Sequence, residues 1–253
     1  MVSKKVIGTV FDNVIQNTTL KLKCGIGLTL PSSVKRVFDE FHDKYCTDSL
    51  EHLIVTDKEG NVLYENTGDE DSVNFPSSTR YELYKEHGQL FVTHNHPRNS
   101  MGLAIGEVAE CLSYQDIYNL FNYFSNYSSV NNEFMEKSIS CESLNGSRMS
   151  VVISDEFNVE NSSDCVKLSR RLVDYWKDYD RNYYKTFERK LSQYDTDDFD
   201  NTEQYVDYCM KETFKEIGVF QKNSEFKDIQ REYRAMGVKL LYTFPRPYHV
   251  GAI

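Results

Sequence analysis

The chain reads as an α/β (α+β) protein: a mixed sheet flanked by helices over residues 1–155, then a mostly helical extension over 156–253 packed on it. Three observations predict this. Short runs rich in β-branched and aromatic residues alternate with helical periods in the first part, and after about residue 155 the apolar spacing settles at three to four residues. With 253 residues, 40% of them hydrophobic and 27% charged, and with only five prolines and twelve glycines, the composition excludes collagen-like and disordered chains.

The elements follow in order. Residues 1–30 carry apolar positions at Val6, Ile7, Val10, Phe11, Val14 and Ile15 whose period fits strand and helix equally. Pro31-Ser32-Ser33 offers a cap, and Val34, Val37, Phe38, Phe41 and Tyr45 recur at helical steps, so the spacing predicts a helix over Ser33 to Tyr45. Leu53-Ile54-Val55 and Val62-Leu63-Tyr64 around Asp57-Lys58-Glu59-Gly60-Asn61 predict a hairpin. A helix is expected over Ser78 to Glu86, ended by Gly88, and a buried strand over Leu90 to Thr93. Helical spacing returns from about Ala104 to Phe124, and Ser138 to Val152 reads as two strands turning at Asn145-Gly146.

In the extension, Ser163-Asp164 offers a cap for a helix whose stripe is Leu168, Leu172, Trp176, Tyr179, Tyr183, Phe187 and Leu191. Such an aromatic stripe is expected to pack on the first unit, through Leu172, Trp176 and Phe187, rather than to form a groove. Helices over about Thr202 to Ile217 and Ser224 to Met236 follow, and Val238 to Tyr242 finishes as a strand.

Charge narrows the partners. Lys and Arg total 29 against 39 Asp and Glu, a formal charge of −10, and such a surface repels phosphate backbones. Nucleic acid is therefore not an expected partner. No run approaches the roughly 18 apolar residues of a membrane span, and the first residues lack the apolar core of a signal peptide, so a cytoplasmic protein is expected. The six cysteines are scattered without a C-x-x-C pair and read as reduced core thiols.

One constellation carries chemistry. Thr93-His94-Asn95-His96-Pro97 ends an apolar strand, and residues two apart in extended backbone point to the same side, so His94 and His96 can converge on one cation. Two surface histidines beside a turn would share that spacing. Downstream, Ser113 and Asp116 are three apart on a helical segment and share a face; upstream, Glu51 opens the first strand of the hairpin. Two histidines, one acid, a spare glutamate and a hydroxyl make up an open zinc site with a base and an oxyanion donor.

These residues resemble the JAMM (JAB or MPN-plus) metalloprotease motif, closest to bacterial and phage branches that include RadC-like proteins and modules of phage minor head proteins. The likeness spans about residues 45–155 and implies a JAB/MPN-like fold for the first unit. It implies that His94, His96 and Asp116 bind Zn²⁺, that Glu51 is the general base, that Ser113 stabilises the oxyanion, and that amide or isopeptide bonds of a protein or peptide are hydrolysed. Asn95 points to the opposite side of the strand and is expected to hold the neighbouring loop.

The chain departs from the family at the acid, which there follows the second histidine by about eleven residues. That position here is Glu107, with Ala104 where the serine would stand; Asp116 keeps its serine but lies 116 − 96 = 20 residues on, nine more than usual. Asp116 is preferred because serine and acid persist together, and Glu107 is the alternative. The resemblance thus leaves two functions open, a zinc-dependent hydrolase that removes ubiquitin-like or peptide tails and a non-catalytic, phage-encoded interaction or virion-associated protein on the same scaffold. A RadC-like role in DNA metabolism is disfavoured by the charge.

Overall fold

Alternation of period two along the strands produces a sheet with two different faces. The computed structural model describes residues 30–45, 48–70, 72–96, 112–127, 136–142, 148–154, 157–218 and 223–243; the expected element before residue 30 and the alternative acid Glu107 lie outside the described residues. In chain order the elements are α1 (Ser32–Tyr45), β1 (His52–Thr56), β2 (Val62–Thr67), α2 (Ser77–His87), β3 (Leu90–Asn95), α3 (Tyr114–Tyr127), β4 (Glu136–Glu142), β5 (Arg148–Ile153), α4 (Ser162–Gln193), α5 (Thr202–Ile217), α6 (Ser224–Ala235) and β6 (Val238–Thr243). This is the expected mixed α+β architecture.

The six strands run in the order β2-β1-β3-β4-β5-β6. Every neighbouring pair is antiparallel except β3 and β4, which are parallel and so need a crossover; α3 lies on it. On one face, Leu53, Val55, Leu90, Val92, Ile139, Met149, Val151, Ile153 and Val238 form a core with residues of α3, α4 and α6. On the other, Ile54, Phe91 and Val152 meet Val34, Val37, Phe38 and Phe41 of α1. Each apolar side chain so buried removes roughly 1.5–3 kcal/mol worth of surface from water, so the helix spacing of α1 is what commits it to that face.

The segment after residue 155 is built into the same sheet. Strand β6 pairs with β5 from Arg148↔Thr243 to Ile153↔Val238. Leu168, Leu172, Tyr175 and Tyr179 of α4 and Phe226, Ile229 and Tyr233 of α6 belong to the sheet core, with Trp176 half-buried against it. Phe187 departs from the expectation: it is buried, but outside that core, on the distal part of α4 beside α5. Thirty-two residues make α4 roughly 48 Å long, more than a sheet of this size can cover, and its second half therefore needs its own partner.

Most element ends fall within a residue or two of expectation. The exceptions have local causes. Helix α4 starts at Ser162 after Asn161, with no side-chain cap, rather than at the Ser163-Asp164 pair. The helical pattern expected from Ala104 is described only as α3, from Tyr114, since 97–111 lie outside the described residues. Among the described residues, no helix is long and apolar enough to cross a membrane.

Candidate metal centre

The strand period that buries Val92 carries on through His94 to His96, so both imidazoles lie on the α3 side of the sheet. Their Nε2 atoms are 3.0 Å apart. Two ring nitrogens at that distance hold either a shared proton or a cation, because two bare lone pairs would repel. His96 is fixed at the strand end by its amide, which donates to the Glu142 carbonyl at 3.2 Å.

Helix α3 brings the carboxylate. Ser113 is the residue before its first turn: the Ser113 amide donates to Asp116 Oδ2 at 2.7 Å, and the Asp116 amide donates to Ser113 Oγ at 3.1 Å. This reciprocal cap satisfies two amides of the helix start and fixes the Asp116 rotamer. The same Oδ2 lies 3.5 Å from His94 Nε2 and 4.0 Å from His96 Nε2. Burial pushes the Asp116 carboxyl up, but His94, His96 and Ser113 outweigh it and hold it well below the usual range.

Glu51 is the residue just before β1 rather than in it. Its backbone is clamped by Asp69 and Gly68, each at 2.8 Å, and its Oε1 is 3.8 Å from His94 Nε2. Burial raises its pKa; the two histidines oppose that, and Asp116 and Asp69 add to it. A carboxyl raised in this way is poised to exchange protons nearer neutral pH. Asn95, on the other face, accepts from the His52 amide at 2.6 Å and donates to the Tyr45 and Leu50 carbonyls, both at 3.1 Å. It therefore grips the chain on both sides of Glu51.

Glu51, His94, His96, Ser113 and Asp116 thus meet in one place. Side-chain exposures of 2% for His94 and 10% for Glu51, against 24% for His96 and 21% for Asp116, show that the cluster opens to solvent on the His96–Asp116 side. A further donor went unread in the sequence. Cys141 of β4 stands opposite His94 in the parallel register, and His94, His96 and Cys141 have donor atoms within 4.8 Å of one another, close enough to hold a metal ion. Nothing local in the sequence marks Cys141, because the pairing of β3 with β4 is non-local.

Compared with known proteins, the chain matches no family model, no curated protein and no solved structure.

Proposed function

We propose that the protein is a zinc-dependent hydrolase of amide or isopeptide bonds, acting on a protein or peptide in the cytoplasm. The observation that carries this reading is the convergence of His94 and His96 with Asp116 beside a buried glutamate whose pKa is raised. Imidazole nitrogens with a carboxylate oxygen form a donor set that suits zinc. Zinc held there by His94, His96 and Asp116 would supply Lewis-acid chemistry and make water nucleophilic near neutral pH.

The chain's own groups do the rest. Glu51 accepts the proton of the attacking water and returns it to the leaving amine. Ser113 Oγ accepts a hydrogen bond from the Asp116 amide, which leaves the hydroxyl proton free to be donated to the carbonyl oxygen as it turns negative. Among the described residues, the buried Cys141, Cys165 and Cys209 are in no disulfide, in keeping with a reducing compartment.

The test combines metal analysis with turnover of peptide and isopeptide substrates. Full-length protein is expected to hold about one equivalent of zinc; Glu51→Gln keeps it and loses hydrolysis, while His94→Ala or His96→Ala loses the metal. Equal zinc in all three variants would remove the assignment of roles. Cys141 favours a second reading, a non-catalytic interaction protein, since a fourth protein donor would close the shell as in structural zinc sites. Bound zinc without turnover of any substrate class would select it.

A further inference from the structure

We propose that Cys141 is a metal ligand, so that the centre is built on one thiolate and two imidazoles and takes a borderline-soft divalent cation. This rests on the metal-binding part of the reading above and not on hydrolysis. Three observations carry it. Ile139 and Cys141 face the same core as Val92, the face on which His94 and His96 continue β3. The parallel register sets Cys141 directly opposite His94, and the side chain is 1% exposed. The donor atoms of the three residues lie within 4.8 Å of one another.

Magnitudes fit. Two nitrogens at about 2.0–2.1 Å and one sulfur at about 2.3 Å from a tetrahedral zinc are roughly 3.3–3.6 Å apart, so relative shifts of about an ångström complete the set. On binding, the Cys141 proton passes to solvent and the thiolate takes its place on the cation. The other described cysteines make the contrast. Cys165 lies 3.7 Å from Met236 Sδ, with burial pushing its thiol up to about 12, and burial pushes Cys209 up to about 11. Neither belongs to a group of metal-binding side chains among the described residues. A thiolate in the set also selects cations: zinc and cobalt are held, and magnesium, calcium and manganese are passed over.

Cobalt substitution reads the sulfur directly. Full-length protein, stripped of metal and loaded with one equivalent of Co²⁺, is expected to show thiolate-to-cobalt charge transfer in the near ultraviolet. Cys141→Ser removes that band and weakens zinc binding by about tenfold or more, while Cys165→Ser keeps both. Zinc-edge X-ray absorption on the unaltered protein gives the same answer even if Cys141→Ser does not fold: one sulfur at about 2.3 Å is expected beside nitrogen and oxygen at about 2.0–2.1 Å. Bound cobalt without charge transfer, or a zinc shell of nitrogen and oxygen alone, overturns the proposal and leaves the hydrolase reading intact. Failure to bind either metal overturns both. Zinc bound through sulfur with no hydrolysis sustains this proposal and removes the hydrolase.

Discussion

Asn95 lies between two histidines yet serves the opposite face of β3, and its three hydrogen bonds, the one from His52 buried and those to Tyr45 and Leu50 part-buried, tie the chain around Glu51. Replacing it with leucine strands the buried His52 amide, at about 1–3 kcal/mol before relaxation, and removes the donor from two half-buried carbonyls, which adds a smaller cost. Asn95→Leu is therefore expected to lower the urea midpoint by the equivalent of about 2–4 kcal/mol. Because His94 and His96 stay in strand register, zinc content should hold while turnover falls through displacement of Glu51. Loss of metal in a folded Asn95→Leu protein would show that the loop also shapes the histidine pair. Ser113→Ala makes a different contrast: it should keep the metal, lose about 10²–10³ in turnover and cost about 0.5–2 kcal/mol through the α3 cap.

Asp57 ties the first hairpin. Its Oδ1 accepts from the Asn61 amide at 2.8 Å and its Oδ2 from Asn61 Nδ2 at 2.7 Å. Burial raises its pKa, but Asn61 and the Glu59 and Gly60 amides outweigh it, so the folded value lies below the ordinary 3.8. A lowered folded pKa means that the stabilisation is complete above the unfolded value and is lost as pH falls through the folded one. The stability gap between the protein and Asp57→Ala should thus be constant above about pH 5 and shrink below about pH 4, followed by denaturant titration. In the same turn Gly60 has φ +84°, and a Cβ there would lie 2.9 Å from the Ser33 carbonyl oxygen. Gly60→Ala accordingly combines left-handed strain with a clash against α1, and should cost more than about 1 kcal/mol.

Among the elements, α1 is joined to the sheet by charge as well as by its apolar stripe. Arg148 of β5 pairs with Glu142 of β4 through Nε and with Asp39 of α1 through Nη2 at 3.1 Å, and Thr93 of β3 donates to Glu142 at 3.1 Å. Burial pushes the Glu142 carboxyl up, and Arg148 and Thr93 pull against it. Arg148→Met alone leaves that carboxylate buried without its cation and should cost about 3–5 kcal/mol, whereas the double change with Glu142→Gln should recover a large part of it. An additive double variant in thermal unfolding would mean the pair is not coupled.

The elements were legible wherever the signal is local. The stripe of α1, the Asp57–Asn61 hairpin and the stripe of α4 each declare themselves within one contiguous segment, although the Ser33 hydroxyl expected near the start of α1 donates to the Lys58 carbonyl instead of capping the helix. His94 and His96 were legible from strand period, and Ser113 with Asp116 from their three-residue spacing; the reciprocal cap that holds the carboxylate in place emerges only in the structure. What escaped depends on pairing between distant segments. Cys141 becomes a neighbour of His94 only through the parallel β3–β4 register, and Arg148 reaches Asp39 only once α1 covers β5. The aromatic stripe of α4 hid a division of labour, since Leu172, Trp176 and Tyr179 serve the sheet core and Tyr183 and Phe187 do not.

For the molecule as a whole, β6 and the helices before it are constituents of the sheet core. Residues 1–155 alone would lack Leu172, Tyr233, Val238 and Leu240, all buried, and would uncover the edge of β5. That fragment is expected to aggregate or to lack a cooperative melt, while the full chain gives one transition at every probe. A soluble, cooperatively unfolding 1–155 would show that the first unit stands alone.

The position of β6 also bears on the order in which the protein is made. Val238 pairs with Ile153, 238 − 153 = 85 residues earlier, and the turn before β6 closes on Gly237, whose carbonyl oxygen accepts from the Ser154 amide at 2.9 Å. A ribosome adding roughly 5–20 residues per second therefore leaves β5 as an open, apolar-faced edge for several seconds before its partner emerges. During that interval α4 and α6 cannot be seated for good, and a nascent chain meeting another copy could pair edge to edge. Yield in a cell should consequently depend more on slow synthesis, low temperature or chaperone supply than the stability of the finished fold would suggest.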